Sequence, residues 1–288
     1  MIKKIIIAEK AGFCFGVKRA IEIALDTSIH TSKKIYTLGP LIHNNDAINY
    51  LKTNNIFEAD ENELDKLNPG DFIIIRSHGI SPFVTQTLKQ HGLNIIDATC
   101  PFVKKIHELV KKHYNLGYKI IIVGDENHPE VIGINGSCNN EAIITKDGSN
   151  IKDGLEKVCI VSQTTEKVEN LKKVVDIVSK TAKEILTFNT ICNATKERQK
   201  SAEELAKQVD LMIVIGGKNS SNSRKLFEIC SQNCKNTIFI ENCLELDLSK
   251  IIDDNIKAIG ITAGASTPDW VIENVILKIQ NNVEECTL

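Results

Sequence analysis

The chain has 288 residues, 42% hydrophobic and 25% charged, which excludes disordered, collagenous and coiled-coil chains and at about 150 residues per domain leaves room for one large domain or two ordinary ones. Thirty-five Lys and Arg against thirty-seven Asp and Glu give a formal charge of -2, so no bulk attraction to nucleic acid or membrane is expected and any anionic ligand must be held locally. Nine cysteines are an odd count in a chain too long to need disulfide staples. With no signal peptide before them and no apolar run near the roughly 20 residues of a membrane span, a soluble protein of the reducing cytoplasm is expected.

In chain order, short β-branched runs bounded by Gly or polar residues alternate with stretches of helical period, the pattern of an α/β protein with parallel-rich sheets. The run Ile5 to Ile7 predicts a strand, followed by a helix with Val17, Ile21, Ala24 and Leu25 on its apolar face. Further strands are predicted at Lys34 to Leu38, Phe72 to Ile75, Asn94 to Ile96, Lys119 to Val123, Glu141 to Thr145, Val158 to Val161, Glu184 to Phe188, Leu211 to Ile215, Thr237 to Ile240 and Lys257 to Ile261. These are too many for one compact sheet, and no low-complexity linker divides them.

An internal repeat supplies the division. Three loops, each after a strand and before a helix, carry a cysteine: Cys14, Cys100 and Cys192, about 86 and then about 92 residues apart. A second loop follows each cysteine by about 28 residues and holds His43, His128 or Ser220; a third, about 64 to 74 residues on, holds His78, Thr164 or Ser266. The repeat predicts three similar α/β units, 1–97 with the Cys14 loop, 98–188 with the Cys100 loop and 189–281 with the Cys192 loop, and then a tail, 282–288. The sequence leaves open whether the first strand, Ile2 to Ala8, pairs within the first unit or closes the third. Ligands of open parallel sheets bind beyond the carboxyl ends of strands, where all nine loops lie. A pseudo-threefold arrangement would bring the three cysteines to one centre.

Thiolates select zinc, copper(I) or iron-sulfur clusters. Zinc is the common rival, but a structural zinc wants four ligands, usually with a short Cys-x-x-Cys pair that this chain lacks. A 4Fe-4S cluster held by three cysteines keeps one open iron able to bind a substrate oxygen. Cys138, Cys159, Cys230, Cys234, Cys243 and Cys286 fall outside the register and read as packing residues; Cys230, Cys234 and Cys243 could chelate a metal, but no fourth ligand is evident.

The loop from Gly216 to Asn222, with Ser220, Ser221 and Asn222, leads into a helix predicted near Ser223, and Gly264 to Pro268, with Ser266, leads into another. Such loops offer backbone N–H groups and hydroxyls to a phosphate, though N-capping alone would also account for them. His43 and His78 sit beside turn residues at strand ends, which suits a pocket. Glu130, two residues from His128, is a candidate proton donor that Thr164 could link to a bound oxygen. Neither loop matches the P-loop or dinucleotide fingerprint, so nucleotide binding is not expected.

The ordered motifs AEKAGFCFGVKRA (8–20), GPLIHN (39–44), RSHG (76–79), IDATCPFV (96–103), HPEV (128–131), SQTT (162–165), NATKERQ (193–199), GGKNSSNS (216–223) and TAGAST (262–267) resemble the LytB-type 4-hydroxy-3-methylbut-2-enyl diphosphate reductase family. The resemblance covers about Ile5 to Ile279. It implies three α/β units around one 4Fe-4S cluster on Cys14, Cys100 and Cys192. It implies diphosphate contacts from His43, His78, His128, Ser220, Ser221, Asn222 and Ser266, with Thr164 and Glu130 serving the hydroxyl end and Glu130 as proton donor. The implied reaction is two-electron reductive dehydroxylation to isopentenyl and dimethylallyl diphosphate, the last step of the methylerythritol phosphate isoprenoid route, with ferredoxin or flavodoxin as electron donor. The chain departs from the family at Ser77, where many relatives carry Ala, and at Ile134, where Thr is frequent. No RNA-binding extension follows the last predicted helix, so nucleic acid is not an expected partner, and without a spanning apolar run neither is a membrane. Two rival readings remain, a quinolinate-synthase-like three-cysteine 4Fe-4S enzyme and a non-catalytic metal-binding or electron-carrying module.

Overall fold

The structure, a computed structural model, describes residues 4–251 and 255–285. The described strands form three four-stranded sheets, every pairing in them parallel. One contains β2 (Ile35–Leu38), β3 (Ile56–Ala59), β4 (Phe72–Ile75) and β5 (Asn94–Asp97) in the order β3-β2-β4-β5. Another contains β6 (Lys119–Val123), β7 (Ile143–Thr145), β8 (Lys157–Ser162) and β9 (Glu184–Thr187) in the order β7-β6-β8-β9. The remaining sheet has β10 (Leu211–Ile215), β11 (Thr237–Ile240) and β12 (Ala258–Ala263), and it is closed by the first strand of the chain, β1 (Lys4–Ile7), as β1-β12-β10-β11.

All three sheets therefore share one plan. In each, the first two strands lie side by side, the third returns to the other flank of the first, and the fourth pairs outside the third. The third sheet obtains its fourth strand from the start of the chain: Ile5 pairs with Ile259 and Ile7 with Ile261. This settles the strand the sequence left open. The chain order reverses between the first and third strand of every sheet, which creates a topological switch point where an open parallel sheet offers a crevice.

Burial explains why the Ile/Val runs are strands. Leu211, Ile213 and Ile215 of β10 pack with Val271, Val275 and Ile279 of α9 (Asp269–Glu285). Met212 and Val214 pack with Ala202 and Leu205 of α7 (Asn193–Ala206) and Leu226 of α8 (Ser221–Asn233). In the same way Ile120 and Ile122 of β6 meet Ile106 and Val110 of α4 (Pro101–Asn115) and Val131 of α5 (Pro129–Gly136), while Ile121 and Val123 meet Leu171 and Val174 of α6 (Val168–Val178). Each fully buried side chain of this size contributes about 2 kcal/mol. Successive strand residues point to opposite faces, and both faces are covered, so the central strands read as unbroken apolar runs.

Two expectations need correction. The sequence reading has no strand at Ile56–Ala59, yet β3 is there. Its burial alternates poorly, with Phe57 and Glu58 exposed, because an edge strand has one neighbour only and needs no continuous apolar run. The tail expected from residue 282 is helical as far as Glu285, since α9 extends to that point; Cys286 lies outside the described residues.

The described chain divides into two compact units. One takes the residues up to Lys18, Ile42–Leu51 and those from Asn193 onward, and holds the sheet of β1, β10, β11 and β12. The other takes Arg19–Leu41 and Lys52–Cys192, and holds the other two sheets. Among the described residues no helix is long and apolar enough to cross a membrane.

Candidate functional site

The sequence-predicted site residues lie beyond the carboxyl ends of the strands flanking the switch points, on loops or in the first turn of the helix that follows: His43 and His78 after β2 and β4, His128 and Thr164 after β6 and β8, Ser220 to Asn222 and Ser266 after β10 and β12. Each cysteine follows a fourth strand and immediately precedes a helix. Cys14 comes before α1 (Phe15–His30), Cys100 before α4 and Cys192 before α7. In every case its amide N–H donates to the loop after the neighbouring third strand: Cys14 to Ala265 O at 3.1 Å, Cys100 to Ser77 O at 3.0 Å and Cys192 to Thr164 O at 3.0 Å. The bond to Ser77 uses only its backbone, so the Ser-for-Ala departure there leaves this contact intact.

Glu130 is 2% exposed, in the first turn of α5. Both its oxygens are held by one residue: the Thr164 N–H donates to Oε1 and the Thr164 hydroxyl to Oε2, each at 2.6 Å. The helix begins there for local reasons. Pro129 occupies its first position, where a missing N–H costs nothing, and His128 caps it, Nδ1 accepting the Glu130 N–H at 3.1 Å. A neutral imidazole that accepts at Nδ1 carries its proton at Nε2, so His128 presents a hydrogen-bond donor on its other side. The His78 ring stands edge-on to it, centroids 5.3 Å apart.

Behind these groups, His107 of α4 bonds Ser137 Oγ through Nδ1 at 2.8 Å. It is wedged so tightly that a Cβ on Gly79 would lie 3.0 Å from its Nε2, and one on Gly133 3.4 Å from its Cε1. Burial pushes the His107 pKa down from 6.5 to about 4, against a smaller upward pull from Asp97. Between those values the unfolded chain binds a proton that folded His107 does not, so stability falls as pH drops through this window. Urea midpoints followed across it are expected to decline less steeply in His107→Gln than in the parent chain. An equal slope would remove His107 as a cause.

In the other unit, α8 starts at Ser221, two residues before the expected Ser223, with Ser220 as its cap accepting the Ser223 N–H at 3.3 Å. Two glycines let the loops close over Ser223: a Cβ on Gly216 or Gly264 would fall 2.3 or 2.1 Å from its Oγ. Asn222 is 4% exposed, yet neither atom of its carboxamide has a hydrogen-bond partner among the described residues. A buried carboxamide in that state, on a helix N-terminus beside the buried Ser220 and Ser221, suits an anionic ligand. Lys218 of the same loop turns outward to Glu245, at 2.7 Å.

His43 follows β2 in sequence but packs with this unit. The Ser266 hydroxyl donates to its carbonyl at 3.3 Å, and a Cβ on Gly217 would lie 2.1 Å from the same oxygen. Nearby, Asn242 donates to Asp46 and Asn45 to Glu241, at 3.2 and 2.9 Å, fixing α2 (Asn45–Thr53).

The cysteines sort by surroundings. Cys14, Cys100 and Cys192 are partly exposed, whereas Cys138, Cys159, Cys230 and Cys234 are buried in apolar clusters. Burial pushes the thiol of Cys159 up to about 11 and that of Cys230 to about 12. Cys243 packs on the α9 side of its sheet and Cys230 and Cys234 on the α7 and α8 side, so the three do not assemble as a chelate. Two residues given no role from sequence also act near cysteines: Arg198 donates to Gly12 O at 2.7 Å, and Arg19 to the carbonyls of Ala98 and Thr99 at 3.4 and 3.3 Å. Only their placement in the quoted motifs marks them in the sequence.

Comparison with known proteins agrees with this geometry. The model of the family described as LytB protein matches residues 5–280. A protein of Clostridium perfringens (strain SM101 / Type A) named 4-hydroxy-3-methylbut-2-enyl diphosphate reductase is 56% identical over 280 residues, 97% of this chain and 99% of its own length. A solved structure of (E)-4-hydroxy-3-methyl-but-2-enyl diphosphate reductase, described as the terminal enzyme of the non-mevalonate pathway, is 46% identical with a TM-score of 0.73, covering 97% of this chain and 100% of that one. The corresponding reductase from Plasmodium falciparum is 28% identical with a TM-score of 0.88, covering 96% and 88%. With the match running nearly end to end and three sheets of one plan beneath it, the chain belongs to the LytB protein family.

Proposed function

We propose that this chain reduces 4-hydroxy-3-methylbut-2-enyl diphosphate, the substrate its relatives' names state, as the terminal enzyme of the non-mevalonate route, giving isopentenyl and dimethylallyl diphosphate. Glu130 carries the reading: a buried carboxyl with both oxygens on Thr164, its own backbone N–H capped by His128 Nδ1. Removing a hydroxyl requires a proton on the departing oxygen, and an enclosed carboxylic acid that can pass one through a neighbouring hydroxyl meets that need.

Cys14, Cys100 and Cys192 suit a 4Fe-4S cluster as its three protein ligands: they are soft donors, partly exposed, each at the same point of its own sheet. When bound, the cluster supplies the electrons one at a time, and its open iron supplies a Lewis acid for the substrate oxygen. The chain's residues do the rest. Ser220, Ser221, Asn222 and Ser266 offer hydroxyl and carboxamide groups to the diphosphate, and His43, His78 and His128 add imidazole donors. Thr164 orients the hydroxyl end, and Glu130 holds the proton that leaves with it as water. The electron donor is ferredoxin or flavodoxin, since the chain has no flavin or nicotinamide motif, and the site of action is the cytoplasm. The three cysteine units with borders near residues 97 and 188 belong to the same proposal.

Full-length chain purified without oxygen is expected to be brown, with about four irons, and to convert the hydroxylated diphosphate to both products with a reduced dye. Colourless protein with stoichiometric zinc after anaerobic reconstitution would overturn the reading.

A further inference from the structure

The cysteine loops are not equivalent in what lies under them. Arg198, on the helix that follows Cys192, is 4% exposed and donates to Gly12 O at 2.7 Å and to Ala194 O at 3.2 Å. Gly12 lies two residues before Cys14 in a left-handed turn, φ 85°, and its surroundings are full: a Cβ there would meet Asp269 Oδ1 at 3.1 Å and Ile272 Cδ1 at 3.2 Å. The peptide that delivers Cys14 is thus gripped between the arginine and α9. Arg19, on the helix that follows Cys14, reaches the carbonyls of Ala98 and Thr99, the residues just before Cys100. At the third loop the support is of another kind. The Thr190 hydroxyl before Cys192 donates to Ser162 O and accepts from Ser162 N–H, at 2.6 and 2.8 Å, and His113 of α4 stacks obliquely on Phe188, centroids 5.0 Å apart.

Guanidinium is the one side-chain cation that stays charged at any working pH. A carbonyl turned onto it orients its peptide dipole, and the charge itself favours the more negative state of whatever the cysteines bind. Groups behind metal ligands set potential in this way, through charge and hydrogen bonding and not by ligation. We propose that Arg198 and Arg19 are positioning residues that hold the Cys14 and Cys100 loops and raise the reduction potential of the cluster. The proposal rests on the cluster reading above.

The test is a mediated spectroelectrochemical titration of the anaerobically reconstituted full-length chain, with iron per chain measured in parallel. Arg198→Gln and Arg19→Gln are expected to keep the parent's iron content. At the parent's midpoint Arg198→Gln is expected to stand about tenfold more oxidised, the scale on which one buried charge acts, equivalent to 59 mV for a one-electron couple, and Arg19→Gln, whose arginine is only half-buried, is expected to shift the same way by less. Arg198→Lys, which keeps the charge, is expected to stay near the parent. Unmoved potentials in the iron-loaded Gln variants would overturn the proposal, as would an equal fall in Arg198→Lys, which would make geometry and not charge the cause. Should Arg198→Gln fail to fold, Arg19→Gln and Arg198→Lys decide by the same criteria. Failure is separable from failure of the cluster reading, because a parent chain without iron retires that reading, whereas an iron-loaded variant at the parent's potential retires only the role of the arginines.

Discussion

Glu130→Gln is expected to lower kcat by about 10²- to 10⁴-fold, with iron content and KM for the diphosphate close to those of the parent chain. The side chain is 2% exposed, and its oxygens accept the N–H and hydroxyl of Thr164 at 2.6 Å each. A glutamine fits the same space. Its carbonyl oxygen still accepts the Thr164 N–H, and its amide can donate to the Thr164 hydroxyl, so the local fold and the start of α5 are kept. Only the proton that Glu130 is proposed to transfer is lost. Steady-state turnover with a reduced dye, read beside an iron assay, separates the two effects, and a kcat equal to the parent's would take Glu130 out of the mechanism.

Gly217→Ala tests the proposed diphosphate contacts. The new methyl would fall 2.1 Å from the His43 carbonyl oxygen and 3.0 Å from its carbon, a backbone clash that no rotamer change relieves. The same carbonyl receives the Ser266 hydroxyl, so moving it disturbs two proposed diphosphate contacts together. A displacement of about 1 Å costs on the order of 100-fold, and here it should appear in KM more than in kcat, because the residues disturbed are proposed to bind the diphosphate and not to transfer the proton. Gly154→Ala is the control: with φ 90° but nothing within 4 Å, it should cost some stability and leave KM alone. A parent-like KM in Gly217→Ala would mean that the His43 segment does not bind the substrate.

The strands buried on both faces were legible because covered parallel strands need continuous apolar runs, and Ile120 to Val123 and Leu211 to Ile215 are such runs. The polar loops were legible because their residues recur at one spacing after each cysteine. β3 was not, since an edge strand can expose Phe57 and Glu58 and so carries neither alternation nor a run. Nor was the packing of His43, whose neighbours Gly217 and Ser266 are far along the chain, nor the grip of Arg198 on Gly12, which joins residues 186 apart.

The sequence by itself determined the α/β class, the repeated cysteine and polar loops and, through its ordered motifs, the family, because local periodicity and residue chemistry are properties of the chain read in one dimension. Tertiary structure alone decided that β1 completes the third sheet, that Glu130 gives both oxygens to Thr164, and that arginines lie under two cysteine loops but a threonine under the other. Those are long-range pairings, fixed by which surfaces pack and which buried polar groups must find partners, and no spacing along the chain encodes them.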